Sequence, residues 1–434
     1  MLSTHHVDLA EAVDQAFAER SAVIRGIADD SKSIAQACHD MANRFSDGGR
    51  LLVFGNGVAA TDAEHIAVEF VHPVIVGKRA LPALSLATDA ATILGVALRD
   101  GIEEVFAHQV RTLGRQADIA LGVSADGNCE NVVRALQAAR SAGMLTVALA
   151  GGDGGALREH AAADYCFVIA SDDARIVKEG HVTTYHVLWE MVHAFLESPG
   201  AIDQSSDAPN KLPATADIHA LYPFLYGGTD PADVFDSVVA STEEKVEEII
   251  GLRSRFGDEQ RNNLIACANE MAKGFANGAT LWALGNGGSS SDAQEVAHIF
   301  LDPVGLGEGL PLPAVCLTND VAVTTALSND IGYDVVFARQ IKALGRPGDI
   351  VVGLSTSGGS ENVLGAFAQA KRAGLLCIGL SGYGGGRMAK EASLDFLFAV
   401  PSASVHRVQE VQTTTYHVLW ELTQHILTTA RLTA

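Results

Sequence analysis

LWALGNGGSSSDAQEVAHIF, residues 281–300, reads as a short apolar segment, a Gly-rich turn and a helix. The same sequence of events stands at 51–70 as LLVFGNGVAATDAEHIAVEF. VFAHQVRTLGRQADIALGVSADGNCENV and TTYHVLWEMVHAFL recur further on as VFARQIKALGRPGDIVVGLSTSGGSENV and TTYHVLWELTQHIL. The offset is 230 at Asp62 and Asp292 and 231 at Ser124 and Ser355, so one residue is inserted between Asp330 and Phe337. The halves align almost end to end, which marks a domain duplication and not a short-repeat solenoid.

Each half carries the same order of elements. A helical region (about 7–47 and 231–277) leads into the first strand, LLVFG or LWALG. The strands IALGVS/IVVGLS and LTVALAG/LLCIGLSG then alternate with Ala-rich helices, and YCFVIA/FLFAVP precedes a last helix. Strands apolar throughout, alternating with helices, predict a parallel sheet of about five strands covered on both faces: α/β, a three-layer αβα sandwich, twice. The expected domains are 1–200 and 229–434, with a linker at 201–228 inside a Pro-, Ser- and Asp-rich stretch that begins at Glu197.

Bulk properties exclude several classes of function. A net charge of −22 would repel nucleic acid and anionic lipid, so neither is an expected partner. No apolar run reaches the roughly 20 residues that span a bilayer, and MLSTHHVDLAEAVDQ lacks the basic and apolar regions of a secretory signal. The six cysteines form no CxxC pair, which suits a reducing compartment; the expected location is the cytoplasm.

In such sheets ligands bind beyond the carboxyl ends of strands. The turn GNGGSSSDA (285–293) offers Asn286, Gly287 and Ser289, and its glycines let the backbone approach a ligand. The turn LSTSGGSENV (354–363) offers the hydroxyls of Ser355, Thr356, Ser357 and Ser360 to an anion. A plain Ser-rich helix cap would look similar. The first half has Ala125, Asp126 and Cys129 in place of three of those hydroxyls, and Ala59 in place of Ser289. A carboxylate there would repel phosphate. The following helix is asymmetric in the other sense. His65 and Glu69, four apart, suit two metal ligands, a base with its partner, or a surface hydrogen-bonded pair. The second half has Glu295 and Ile299 there.

GNGGS-x-x-DA, SND-x-G, F-x-R-Q-x-x-A-L-G-R-x-GD, STSG-x-S-x-NV and the VQE…H helix together resemble the phosphoheptose isomerases of the SIS (sugar isomerase) domain superfamily, across both halves. The resemblance implies interconversion of sedoheptulose 7-phosphate and glycero-manno-heptose 7-phosphate by tetramers with sites between subunits. It places phosphate on the STSG serines and substrate near Asp330 (Asp100 in the first half). A zinc ion would sit on His, Glu, Gln and His, with the glutamate moving the proton and a histidine assisting at the oxygens. Those positions are His65, Glu69 and His186 in the first half; Gln409 stands at the Gln position of the second, where the first has Lys178. His417 is the twin of His186, and either could be an ordinary core histidine. An aspartate of the pattern, before the last helix, is replaced by Arg175 and His406.

Gln409 and His417 lie eight residues apart on one helix, about 12 Å along its axis at 1.5 Å per residue, against metal bonds of about 2 Å. A composite site follows as the expectation: His65, Glu69 and His186 from the first half, with Gln409 and the phosphate hydroxyls from the second. The opposite pairing would combine Glu295, Ile299 and His417 with Lys178 and the Asp126 turn, and looks inactive. Competing readings are a sugar-phosphate sensor and a protein-interaction scaffold. Two tandem copies suggest a homodimer that rebuilds the tetramer as a pseudo-tetramer.

Overall fold

The computed structural model describes residues 8–75, 77–198, 231–303, 309–391 and 393–433. The expected linker, 201–228, lies outside them. The first sheet contains β1 (Leu51–Gly55), β2 (Ala83–Ser85), β3 (Ile119–Ser124), β4 (Leu145–Gly151) and β5 (Tyr165–Ile169), in the order β2-β1-β3-β4-β5. The second contains β6 (Leu281–Leu284), β7 (Ala314–Cys316), β8 (Ile350–Ser355), β9 (Leu376–Ser381) and β10 (Phe396–Ala399), in the order β10-β9-β8-β6-β7. Every pairing is parallel. The central strands β1, β3 and β4 are buried at every residue, which is why they read as unbroken apolar runs and not as alternating ones. Leu52, Phe54, Val132 and Leu136 pack in the core on one face of the first sheet; Leu284, Val351, Val363 and Phe367 do so in the second.

The edge strands β2 and β7 were not located from sequence. Each has only three residues, too few to show a period. Placing them completes the topology that matters for function. Strand order reverses between β1 and β3 and between β6 and β8, and ligand crevices open at such switch points. The two Gly-rich turns of each half follow those very strands.

The chain clusters into two compact units that do not coincide with the sequence halves. The first-half unit is Val23–Glu248; the second-half unit is Ile249–Ala434 together with Met1–Ala22. The unit boundaries fall inside the helices Leu9–Ile24 and Pro231–Ala276, so each unit contains part of both. Specific contacts bear this out. Phe17 packs against Gly257, Asp14 pairs with Arg261 at 2.6 Å, and buried Arg20 meets Glu421 at 2.5 Å. In the other unit Lys245 pairs with Glu190 at 2.9 Å, and Ser31 donates to Glu243 at 3.2 Å. Duplicated domains present equivalent surfaces, so a leading helix that fits one copy fits the other; this is the logic of domain swapping within a chain. The two helical regions also differ in form. The first is broken into Leu9–Ile24, Gly26–Asp29 and Ser31–Ser46, whereas the second is continuous. Gly26 and the following Asp29-Asp30-Ser31, residue types that favour turns and caps over helix interiors, account for the breaks.

Candidate active site

The turns set the frame. Gly57 and Gly287 adopt φ 57° with ψ −125° and −127°, a region closed to side chains, so both halves keep the same sharp exit from the first strand. A Cβ at Gly358, also at positive φ, would meet the carbonyl oxygen of Gly385 at 2.3 Å. Asn286 and Asn362 exchange hydrogen bonds across the two turns at 2.8 Å, and the phenol of Tyr333 donates to Asn286 Oδ1 at 2.8 Å. Tyr333 was missed by sequence reasoning; it stands in the segment that carries the inserted residue.

Ser360 is the N-cap of the helix Glu361–Ala373 but makes no capping hydrogen bond. Its hydroxyl lies 3.0 Å from Ser355 Oγ instead, and the exposed Ser357 accepts from Gly359 N at 3.2 Å. The hydroxyls of Ser355 and Ser360 thus face each other, and that of Ser360 is not used to cap the helix. Helix capping therefore does not account for Ser360. Ser289 is buried below the first turn, and Asp330 is exposed at the end of the helix Val321–Asp330, accepting from Asn329 at 2.9 Å.

The first-half turn carries the carboxylate of Asp126 where the second has the hydroxyl of Ser357. Asp126 Oδ1 accepts from Ser124 Oγ at 3.2 Å and from the backbone N–H of Asn128 at 2.9 Å. Those are the kinds of donor that an anion would need.

His65 and Glu69 lie on the helix Val58–Val71, and His186 on the helix Ala174–Glu197. The structure brings the three together: one ligand atom from each lies within 4.8 Å of the others. His65 Nε2 is 3.6 Å from Glu69 Oε1, and the rings of His65 and His186 are 5.5 Å apart. All three are at most 2% exposed, which rules out a surface pair. Trp189 Nε1 donates to the backbone carbonyl of Glu69 at 2.8 Å, fixing the helix that carries it. Two imidazole nitrogens and a carboxylate oxygen make a donor set that suits zinc.

Lys178, at the Gln position, is engaged elsewhere. Its ammonium bonds Asp62 at 2.5 Å and Thr61 at 3.1 Å, with Lys178 and Asp62 both buried. Lys178 and His186, eight apart on one helix, thus touch different turns of the helix opposite. Gln409 is buried in the other unit.

His181, three residues past Lys178, has its imidazole bonded to the Ala150 backbone, and its Nε2 has no hydrogen-bond partner. Burial, and secondarily the Lys178 charge, lower its pKa from 6.5 to about 4. Because the folded value is the lower one, the unfolded chain takes up the proton first as pH falls. Stability is then constant above pH 6.5 and declines between 6.5 and 4, by roughly 3 kcal/mol at most. His181→Gln, which installs the residue of twin position Gln412, is expected to flatten melting temperature against pH across that window.

Comparison with known proteins agrees with the doubled architecture. A family model described as SIS domain matches residues 17–151 and again 246–382. The phosphoheptose isomerase of Roseiflexus sp. (strain RS-1) is 39% identical over 197 residues, covering 45% of this chain and 97% of that protein. The phosphoheptose isomerase of Nitratidesulfovibrio vulgaris (strain DSM 19637 / Miyazaki F) is 41% identical over 184 residues, covering 42% of this chain and 87% of that protein. The solved C-terminal domain of glucosamine-fructose-6-phosphate aminotransferase from Francisella tularensis covers 95% of this chain and 94% of its own, with a TM-score of 0.58 at 10% identity, a likeness of fold.

Proposed function

From the premise that the chain belongs to the SIS domain family, in its phosphoheptose isomerase branch, as a tandem duplication, we propose that it is an aldose–ketose isomerase of a sugar phosphate, with sedoheptulose 7-phosphate and glycero-manno-heptose 7-phosphate as the pair. The buried His65–Glu69–His186 cluster is the observation that carries this reading. A sensor or a scaffold has no use for three metal-competent donors held together out of water.

The reaction removes a carbon-bound proton beside a carbonyl and returns it one carbon over. Glu69 takes and returns that proton; a carboxylate has two oxygens, so it can also serve as a ligand. His186 assists at the oxygens where charge builds up. Zinc, when bound, would supply Lewis-acid stabilisation of those oxygens. His65, Glu69 and His186 would hold it, with Gln409 as the fourth ligand. Asn286, Gly287, Ser289, Asp330, Ser355, Thr356, Ser357 and Ser360 bind the sugar phosphate. Assigning the metal ligands to one unit and the phosphate hydroxyls to the other is supported by what each lacks: Asp126 puts a carboxylate in one turn, and Glu295 and Ile299 replace the other metal pair.

The test is incubation with sedoheptulose 7-phosphate in D2O, with proton exchange at C1 followed by NMR. Absence of exchange by the zinc-loaded chain would sink the reading. Ser357→Ala is expected to raise KM about 10-fold or more with a smaller change in kcat, as loss of a hydrogen bond to a charged group costs about 1.5–3 kcal/mol. We further propose that two chains pair as a pseudo-tetramer of SIS domains in the cytoplasm. Light scattering checks the assembly, and a monomer would count against it. Among the described residues no helix is long and apolar enough to cross a membrane.

A further inference from the structure

The twin of the metal-competent cluster holds something else. The repeat offsets carry His65 to Glu295, Glu69 to Ile299, Tyr185 to Tyr416 and His186 to His417. In the second-half unit, Glu295 Oε1 lies 2.9 Å from His417 Nε2, and Glu295 Oε2 accepts from the Tyr416 phenol at 2.8 Å. Glu295 and Ile299 are 0% exposed, His417 1% and Tyr416 2%. One carboxylate therefore receives a donor on each oxygen, from two adjacent residues of the facing helix. Where the first-half unit gathers three donor atoms around a common point, the same three positions here hold one acid, one imidazole and an alkyl side chain.

We infer that the Glu295–His417–Tyr416 triad is a built-in substitute for a metal ion, locking the helix Gly288–Leu301 to the helix Val405–Thr433 in a unit that binds no metal of its own. A divalent cation draws carboxylate and imidazole together by charge; here a phenol O–H and an imidazole N–H do so by hydrogen bonding to a single buried carboxylate. Burial and the neighbouring Glu295 push the Tyr416 phenol well above its ordinary value, so it stays a donor at any working pH. Ile299 removes the third donor, leaving one carboxylate and one imidazole where the first-half cluster has three ligands. The phosphate turn in this unit then keeps its shape whether or not metal is supplied.

The inference uses the proposed metal cluster as its reference, so its test has two arms. Cobalt titration of the full-length chain, read by visible absorption and elemental analysis, is expected to give one ion per chain for wild type and none for His65→Ala. One ion per chain retained by His65→Ala would overturn the substitute. If wild type itself bound none, the metal part of the proposed function would fail, and the second arm would decide this inference. There, Glu295→Gln is expected to lower the melting temperature by roughly 5 °C, equally with and without chelator. No shift, or a shift seen only in metal-loaded protein, would overturn it.

Discussion

Glu69→Gln is expected to lower kcat for sugar-phosphate isomerisation by about 10²–10⁴ while the melting temperature stays within a few degrees. That range is what a positioned general base contributes. The substitution keeps the size of the side chain and its place on the helix. The helix position itself is fixed through the backbone carbonyl that Trp189 bonds at 2.8 Å, a contact that the change does not touch. What is lost is the carboxylate, the proposed proton acceptor and metal ligand. Glu295→Gln, its counterpart one helical turn earlier in the other half, is expected to leave kcat within about two-fold at a temperature below its melt. The contrast is the informative part. Equal losses from the two variants would mean that both halves carry chemistry, and the division of roles would be wrong. Steady-state rates for both, with metal content measured on the same samples, decide it.

Phe17→Ala is expected to destabilise the unit formed by residues 249–434, although Phe17 belongs by sequence to the opposite end of the chain. The ring is 5% exposed and lies against Gly257. Deleting a buried aromatic side chain typically costs about 3–5 kcal/mol, the transfer of the ring plus the cavity left behind. For a unit of this size that is a fall of about 6–20 °C in melting temperature. Hydrogen exchange locates the effect: protection should drop in peptides from 249–434 and stay unchanged in 23–198. Loss confined to 23–198 would refute the exchange of leading helices.

Much of the fold was legible because a buried parallel sheet writes itself as unbroken apolar strands, and because the duplication let each half check the other. LTVALAG is β4 residue for residue. The three-residue strands β2 and β7 could not be read; pairing with a neighbour defines them, and local sequence does not. The exchange of leading helices was equally invisible. Each helix has the apolar face its own copy would accept, and nothing in its composition says which copy receives it. At the site, His65, Glu69 and His186 were readable from spacing and resemblance. Lys178 and Asp62 were not, since a buried ion pair 116 residues apart in sequence leaves no local trace. Nor was Tyr416, an unremarked neighbour of a histidine until the carboxylate of Glu295 was seen to bond both.

Asp126 has one more consequence. Its carboxylate puts a negative charge in that turn, where the twin position has the neutral hydroxyl of Ser357, and so repels an incoming phosphate. Titration with a sugar phosphate or a phosphate mimic is then expected to saturate at one equivalent per chain, although the chain contains two turns of the same descent. In an oligomer of identical subunits, half-of-the-sites binding is ordinarily read as negative cooperativity. Here the same stoichiometry would arise with no communication between sites, because one turn of each pair carries a carboxylate that repels phosphate.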